Sequence, residues 1–352
     1  MHHFKRTYSF QFLNHIPNTI EKYIESTSLK SRYLKFFKRR LYIFLKGQKD
    51  LELFTILTKH KNILWINMSA ASLGDSLMDL SSRKLLRNKK VDLFTHRKNF
   101  LIYKNDLFFK RVFTNVQDLA HLKYDLIIID SYSTRSIKIK SIVARETPYV
   151  GMFGYFNGPE VNRTLFSFSQ MNNLLNNIMN EHELKASARN SISVSKNDTE
   201  VVKNITPKFF IAFVLGGEWK FKTFLKWEAI VSKISFDNPD LSLVLLGSKN
   251  ATSCSEEILK KFPNRNILNF VNKLSFNQTA AVISRSQLVF CCDGGLMHAA
   301  NAVSAKNISL FAKLSPEMLI TDSANSYYLF DESNVNNIPT EDILSIFENI
   351  YP

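Results

Sequence analysis

Three cysteines in 352 residues, two of them adjacent at Cys291 and Cys292, are too few for a disulfide framework and have no metal-ligand spacing. A reducing cytoplasm is the compartment they fit. Ten glycines and nine prolines leave no low-complexity linker, and no internal repeat is present, so domain breaks have to be read from periodicity. No window of about 18 uncharged apolar residues exists, so no membrane-spanning helix is expected. The opening MHHFKRTYSF lacks the apolar core and small-residue cleavage site of a secretory signal, so none is expected there. Acid is also scarce, with 31 Asp and Glu against 46 Lys and Arg. A net charge of +15 favours polyanions, anionic membranes or phosphorylated substrates without choosing among them. The excess is regional: residues 1–60 hold 12 basic and 4 acidic side chains, whereas from Asp322 onward there are six acids and no Lys or Arg.

The length allows two cores of about 150 residues each. Residues 28–46, SLKSRYLKFFKRRLYIFLK, place Leu29, Tyr33, Phe37, Leu41 and Phe44 at helical spacing among basic residues, which predicts a basic amphipathic helix. Such a helix either packs on its own domain, meets an anionic leaflet, or touches nucleic acid; the last is disfavoured because no aromatic RNA-binding signature accompanies it. From Asn62 the pattern becomes short apolar runs alternating with helical stretches. Strands are predicted at 63–66, 91–94, 125–129, 209–214, 243–246, 266–270 and 288–290. Helices are predicted at 76–89, 138–145, 226–234, 255–261, 277–284 and 296–303. This is the alternation of parallel sheets with crossover helices, α/β in class. The polar stretch near 183–203 reads as a linker. The organisation expected is a basic helical extension over 1–60, Rossmann-like domains over 61–190 and 205–335, and a terminal helix over 336–352.

In such sheets ligands sit at the carboxyl ends of strands, and four of these ends carry chemistry. After the first strand comes Ser72-Leu73-Gly74-Asp75, where the acid is either a helix cap or a carboxylate able to take a proton from an attacking hydroxyl. Leu215-Gly216-Gly217 precedes Lys220 and Lys222; paired glycines let backbone N–H groups approach an anion, although the Walker A ending is missing. Gly247-Ser248 follows the third end. The fourth is Asp293-Gly294-Gly295, opening a helix that carries His298. Free N–H groups and the positive helix end suit a diphosphate there, and Asp293 suits sugar hydroxyls.

Together these loops resemble glycosyltransferase family 9, the lipopolysaccharide heptosyltransferases, from about Asn62 to Pro316. Asp293–Ala300, reading DGGLMHAA, is similar to the family's Asp-Ser/Thr-Gly-x-x-His-x-Ala signature. Ser72–Asp75 resembles its S-x-G-D motif, Lys222-Thr223-Phe224 its Lys-x-Trp loop, and Leu243–Ser248 with Asn272–Ser275 complete the order. The resemblance implies a GT-B fold of two Rossmann-like domains facing a cleft. It also implies inverting transfer of heptose from ADP-L-glycero-D-manno-heptose to the lipopolysaccharide core, on the cytoplasmic face of the inner membrane. By the same resemblance Asp75 is the general base, while Gly216, Gly217, Lys222, Gly247, Ser248, Leu274, Asp293, Gly294, Gly295 and His298 hold the donor. Asp130 and Arg135 stand on the acceptor side. No metal or cofactor is expected, since no Asp-x-Asp cluster is evident in the loops. The chain departs from the family at Gly294, where Ser or Thr is usual, and at Phe311–Pro316, where Phe-Gly-Pro is usual. Another nucleotide sugar, or a catalytically silent GT-B scaffold, is therefore the competing reading. The basic segment 28–46 is expected to meet an anionic inner-membrane surface.

Overall fold

The computed structural model describes residues 29–70, 72–154, 162–320 and 324–351. The first 28 residues of the basic extension lie outside them. The chain divides into two compact units at Arg189/Asn190.

In the first unit, β1 (Asn62–Asn67), β2 (Lys90–Thr95), β3 (Phe109–Phe113), β4 (Leu126–Ile129) and β5 (Tyr149–Gly151) form a parallel sheet in the order 3-2-1-4-5. Its central strands are apolar on both faces, as a sheet covered on both sides requires. Leu64, Ile66, Ile127 and Ile129 pack one face against Ile43 of α1 (Leu29–Leu45) and Ile137 of α4 (Thr134–Val143). Between these helices in sequence come α2 (Leu73–Asp79) and α3 (Arg97–Tyr103); α5 (Arg163–Leu174) and α6 (Glu181–Ser187) close the unit.

The helix expected at 76–89 starts earlier and stops sooner. A capping box between Ser72 and Asp75 opens α2 at Leu73, and the Ser81 hydroxyl and the Arg83 guanidinium bond the carbonyls of Met78 and Leu80 as the chain tightens into a 3-10 turn over Ser81–Leu86. The helix expected at 138–145 likewise begins at Thr134, because Ser133 caps it by accepting from the Ser136 amide.

The second unit holds β6 (Phe210–Val214), β7 (Ser242–Leu246), β8 (Ile267–Asn269), β9 (Leu288–Cys292), β10 (Asn307–Ala312) and β11 (Ser326–Asp331). All pair in parallel, in the spatial order 11-10-9-6-7-8. Counted within the unit this is 3-2-1-4-5-6, the dinucleotide-fold order. Phe213 and Phe290 from adjacent strands stack at 4.7 Å, with Trp227 of α8 (Trp227–Asp237) edge-on to both. The other helices are α9 (Thr252–Lys261), α10 (Phe276–Arg285), α11 (Gly295–Ala302) and α12 (Thr340–Ile350). Cys291 and Cys292 are buried thiols on opposite sides of β9, as adjacent strand residues must be.

The stretch read as a linker is largely helical. Asn180 and Glu183 form a capping box for α6, and Ser195 caps α7 (Lys196–Ile205), which packs across α10. Polar residues there serve as caps, and the missing apolar period reflects short helices with few buried positions.

Candidate active site

Each sheet has one switch point, where strand order reverses and a crevice opens at the carboxyl ends. In the second unit it lies between β6 and β9. Their following loops meet there: the Lys222 ammonium lies 2.5 Å from Oδ2 of Asp293, and both side chains are largely buried. Lys222 closes a 3-10 turn over Lys220–Lys222, and Asp293 is fixed at the end of β9 by its amide donating to the Leu310 carbonyl. Gly294 and Gly295 follow at once. Gly294 is extended, and an added Cβ would meet only the Cys292 carbonyl at 3.9 Å, so the space before the α11 N-terminus is open. His298 sits one turn on, buried.

Neighbouring loops brace this pair. Gly216 has φ +83°, a conformation open to glycine at little cost, and a Cβ there would press on Oδ1 of the Asn250 side chain at 2.9 Å. Asn250 donates to the Gly217 carbonyl at 2.6 Å and accepts from the Ser248 hydroxyl at 2.7 Å, so the Gly216-Gly217 and Gly247-Ser248 loops are joined. Leu274 is half-buried at the turn before α10, apart from these bonds. One basic residue in these loops escaped sequence reasoning. Lys313, at the end of β10, places its ammonium 4.1 Å from the centre of the Phe221 ring, over which Lys222 also lies at 5.8 Å. Its only sequence signal was the departure at Phe311–Pro316.

A Cβ at position 217 would fall 2.6 Å from the Lys222 carbonyl oxygen and 2.7 Å from the Thr223 hydroxyl. Gly217→Ala therefore has to move the Lys222 turn. The expected outcome is a 10- to 100-fold rise in KM for a diphosphate donor, roughly what a displacement of about 1 Å costs, with about 1–3 kcal/mol of stability lost. Steady-state kinetics and urea unfolding check the two parts.

In the first unit the switch point lies between β1 and β4. Asp130 is fully buried and accepts from the amides of Met68 (2.6 Å), Ser69 and Ser131 (2.7 Å) and from the Ser136 hydroxyl (2.7 Å). Burial still pushes its carboxyl above the usual range. Asp130 thus ties the two switch-point loops together, while Arg135, at the first turn of α4, stays exposed and donates to the Met68 carbonyl at 3.4 Å.

Asp75 is partly exposed and doubly engaged. Its Oδ2 accepts from the Ser72 amide and hydroxyl, both at 2.9 Å, and its Oδ1 accepts from Arg163 at 2.8 Å. Arg163, at the first residue of α5, also grips Asp79 through two bonds of 2.5 and 2.8 Å. Asp79 is buried one helical turn beyond Asp75, and burial pushes its carboxyl up to about 6 even with Arg163 against it. Sequence reasoning missed both partners. The spacing of four between Asp75 and Asp79 was visible as one helix face; Arg163, 88 residues from Asp75, left no local signal.

Among the described residues no group of three or more His, Cys, Asp or Glu side chains is placed to hold a metal ion, and no helix is long and apolar enough to cross a membrane.

Two doubly wound parallel units, each with charged side chains in the loops at its switch point, have the architecture of the GT-B class of glycosyltransferases. Residues 147–346 match glycosyltransferase family 9 (heptosyltransferase), and the chain belongs to that family. It is a glycosyltransferase, which implies a nucleotide-sugar donor and a glycan acceptor. The matched residues take in β5 and most of the second unit; Asp75, Asp79 and Asp130 precede them. No curated protein matches the chain. Among solved structures, the family 9 glycosyltransferase of Veillonella parvula aligns at TM-score 0.70 and 12% identity, over 85% of this chain and 99% of its own. The ADP-heptose lipopolysaccharide heptosyltransferase II of E. coli aligns at 0.61 and 14%, over 82% and 98%. E. coli heptosyltransferase WaaC with ADP aligns at 0.55 and 14%, over 82% and 97%.

Proposed function

We propose that the chain transfers heptose with inversion from ADP-L-glycero-D-manno-heptose to a hydroxyl of the lipopolysaccharide core, at the cytoplasmic face of the inner membrane. The observation that carries this reading is the Lys222–Asp293 pair at the second switch point, in front of the open N-terminus of α11. A lone carboxylate beside a helix N-terminus would repel a diphosphate, whereas one already paired with an ammonium can exchange partners. The diphosphate draws Lys222, and Asp293 turns to accept from sugar hydroxyls. The amides of Gly294 and Gly295 face the phosphates, Lys313 adds a second cation, and Gly216, Gly217, Gly247, Ser248, Leu274 and His298 line the donor.

In the transfer, the acceptor hydroxyl gives its proton to Asp75 as its oxygen bonds to the anomeric carbon. The bond from that carbon to the diphosphate breaks, and ADP leaves with the electron pair. Lys222 and the helix end hold the charge that develops on it. Arg135 orients the acceptor.

The test incubates the purified protein with core oligosaccharides truncated at successive sugars and offers ADP-heptose, UDP-sugars and GDP-sugars in parallel. A mass gain of one heptose with ADP-heptose alone is expected. Transfer from another nucleotide sugar, with none from ADP-heptose, would replace this reading by a different GT-B activity.

A further inference from the structure

The apolar stripe of α1 faces outward. The helix is held to the first unit by its other side, where Ile43 is buried in the core, Phe36 and Tyr42 pack against it, and Arg40 pairs with Glu52 at 2.9 Å. Just beyond its end, the buried Gln48 accepts from the Lys140 ammonium and donates to the Arg145 carbonyl, locking α1 to α4. The position of α1 is therefore fixed by an inner face, and the described residues leave the stripe uncovered. Leu34, Phe37, Leu41, Phe44 and Leu45 are each 57–69% exposed. At about 100° per residue they fall within an arc of about 100°, wide enough to seat a helix in an apolar boundary. Lys38 is exposed at one margin of this arc, and Lys35 is exposed next to it around the helix.

We propose that this outward face of α1 docks flat on an anionic lipid bilayer, with the five apolar side chains in the acyl boundary and the lysines at the headgroups. The occupant follows from chemistry. The 17 residues of α1 contain six basic side chains and no acid. A second copy of the chain would bring like charges together along the same stripe, whereas anionic headgroups around an acyl layer satisfy both features at once. At about 25 Å the helix is also too short, and too charged, to cross the bilayer. The inner-face anchors then orient the whole first unit against the membrane that bears a lipid-linked acceptor. The inference stands apart from the donor assignment, because binding is read without substrate.

The test is co-sedimentation of the full chain with vesicles of phosphatidylcholine, and with vesicles of equimolar phosphatidylcholine and phosphatidylglycerol. The wild type should pellet with the second and not the first, and salt should release it. Phe37→Ser/Leu41→Ser/Phe44→Ser should lower vesicle affinity about tenfold with an unchanged thermal midpoint. Lys35→Glu/Lys38→Glu, which leaves every apolar residue in place, should lower it comparably and weaken the salt dependence. A wild type that stays in the supernatant with both vesicles overturns the proposal, as does a triple variant that binds like the wild type. A wild-type dimer in light scattering that the triple variant turns monomeric assigns the face to a second copy instead. Binding that appears only after deletion of residues 1–28 assigns it to the chain's own leading segment.

Discussion

Asp75→Asn is expected to lower kcat by about 10²- to 10⁴-fold, the usual contribution of a positioned general base, while donor affinity stays at the wild-type value. The amide keeps the shape of the carboxylate and can still accept from the Ser72 amide, so α2 stays capped. What it loses is the ability to take a proton and the charge that pairs with Arg163. Asp75→Ala also loses its half of the capping box with Ser72, and should cost a further 0.5–2 kcal/mol or so of stability. The two substitutions therefore separate the proposed base from the part Asp75 plays in the capping box. Steady-state kinetics at saturating donor and acceptor give kcat, calorimetric titration with ADP-heptose gives donor affinity, and urea unfolding gives stability. An Asn variant that turns over like the wild type would leave Asp75 its place in the capping box alone and move the search for the base elsewhere.

The capping role was readable in Ser72-Leu73-Gly74-Asp75, because it depends on residues within one helical turn. The central strands were readable for a related reason. Ile63–Ile66, Leu126–Ile129 and Ile211–Val214 are buried on both faces and so appear as unbroken apolar runs. Strand β10 was not, since Asn307 and Ser309 interrupt its run; both are fully buried and hydrogen-bonded to each other and to neighbours such as Asn301, Ser326 and Cys291, which only the assembled sheet supplies. Edge strands β3 and β11 carry exposed polar or aromatic positions and lack the buried-run signal. Helix α1 shows a different limit. Its stripe of Tyr33, Phe37, Leu41 and Phe44 was found from spacing, yet Ile43 and Arg39 turned out to be the buried side chains. Periodicity identifies a face and says nothing of what covers it. The glycine and acid positions at strand ends were legible because parallel topology puts every such end on one edge. Arg163 and Lys313 were not, because their partners arrive from distant segments whose approach only the fold sets.

Arg163→Met is expected to destabilise the first unit by about 3–5 kcal/mol, the cost of breaking a buried ion pair from one side. The guanidinium is buried and bridges Asp79 and Asp75, so its removal leaves two carboxylates near one another with their shared cation gone. Adding Asp79→Asn removes the worse of the two uncompensated charges, and the double variant should recover part of the loss. The pH dependence gives an independent reading. Asp79 titrates near 6 in the folded chain against 3.8 in an unconstrained one. Between those values the native state retains a proton that the unfolded state has released, so the stability linked to Asp79 is full below about 3.8 and is lost as pH rises through about 6. Without Arg163 the carboxyl keeps burial, Asp75 and Asp130 pushing upward against only a long bond of 3.5 Å from the Asn67 side-chain amide, and that loss should extend above pH 6. In Asp79→Asn this part of the curve should flatten. Urea unfolding across this pH range measures all three slopes. A stability in Arg163→Met within about 1 kcal/mol of the wild type, or an unchanged slope in Asp79→Asn, would mean that solvent reaches the pair and that Arg163 does not hold Asp75 in place through it.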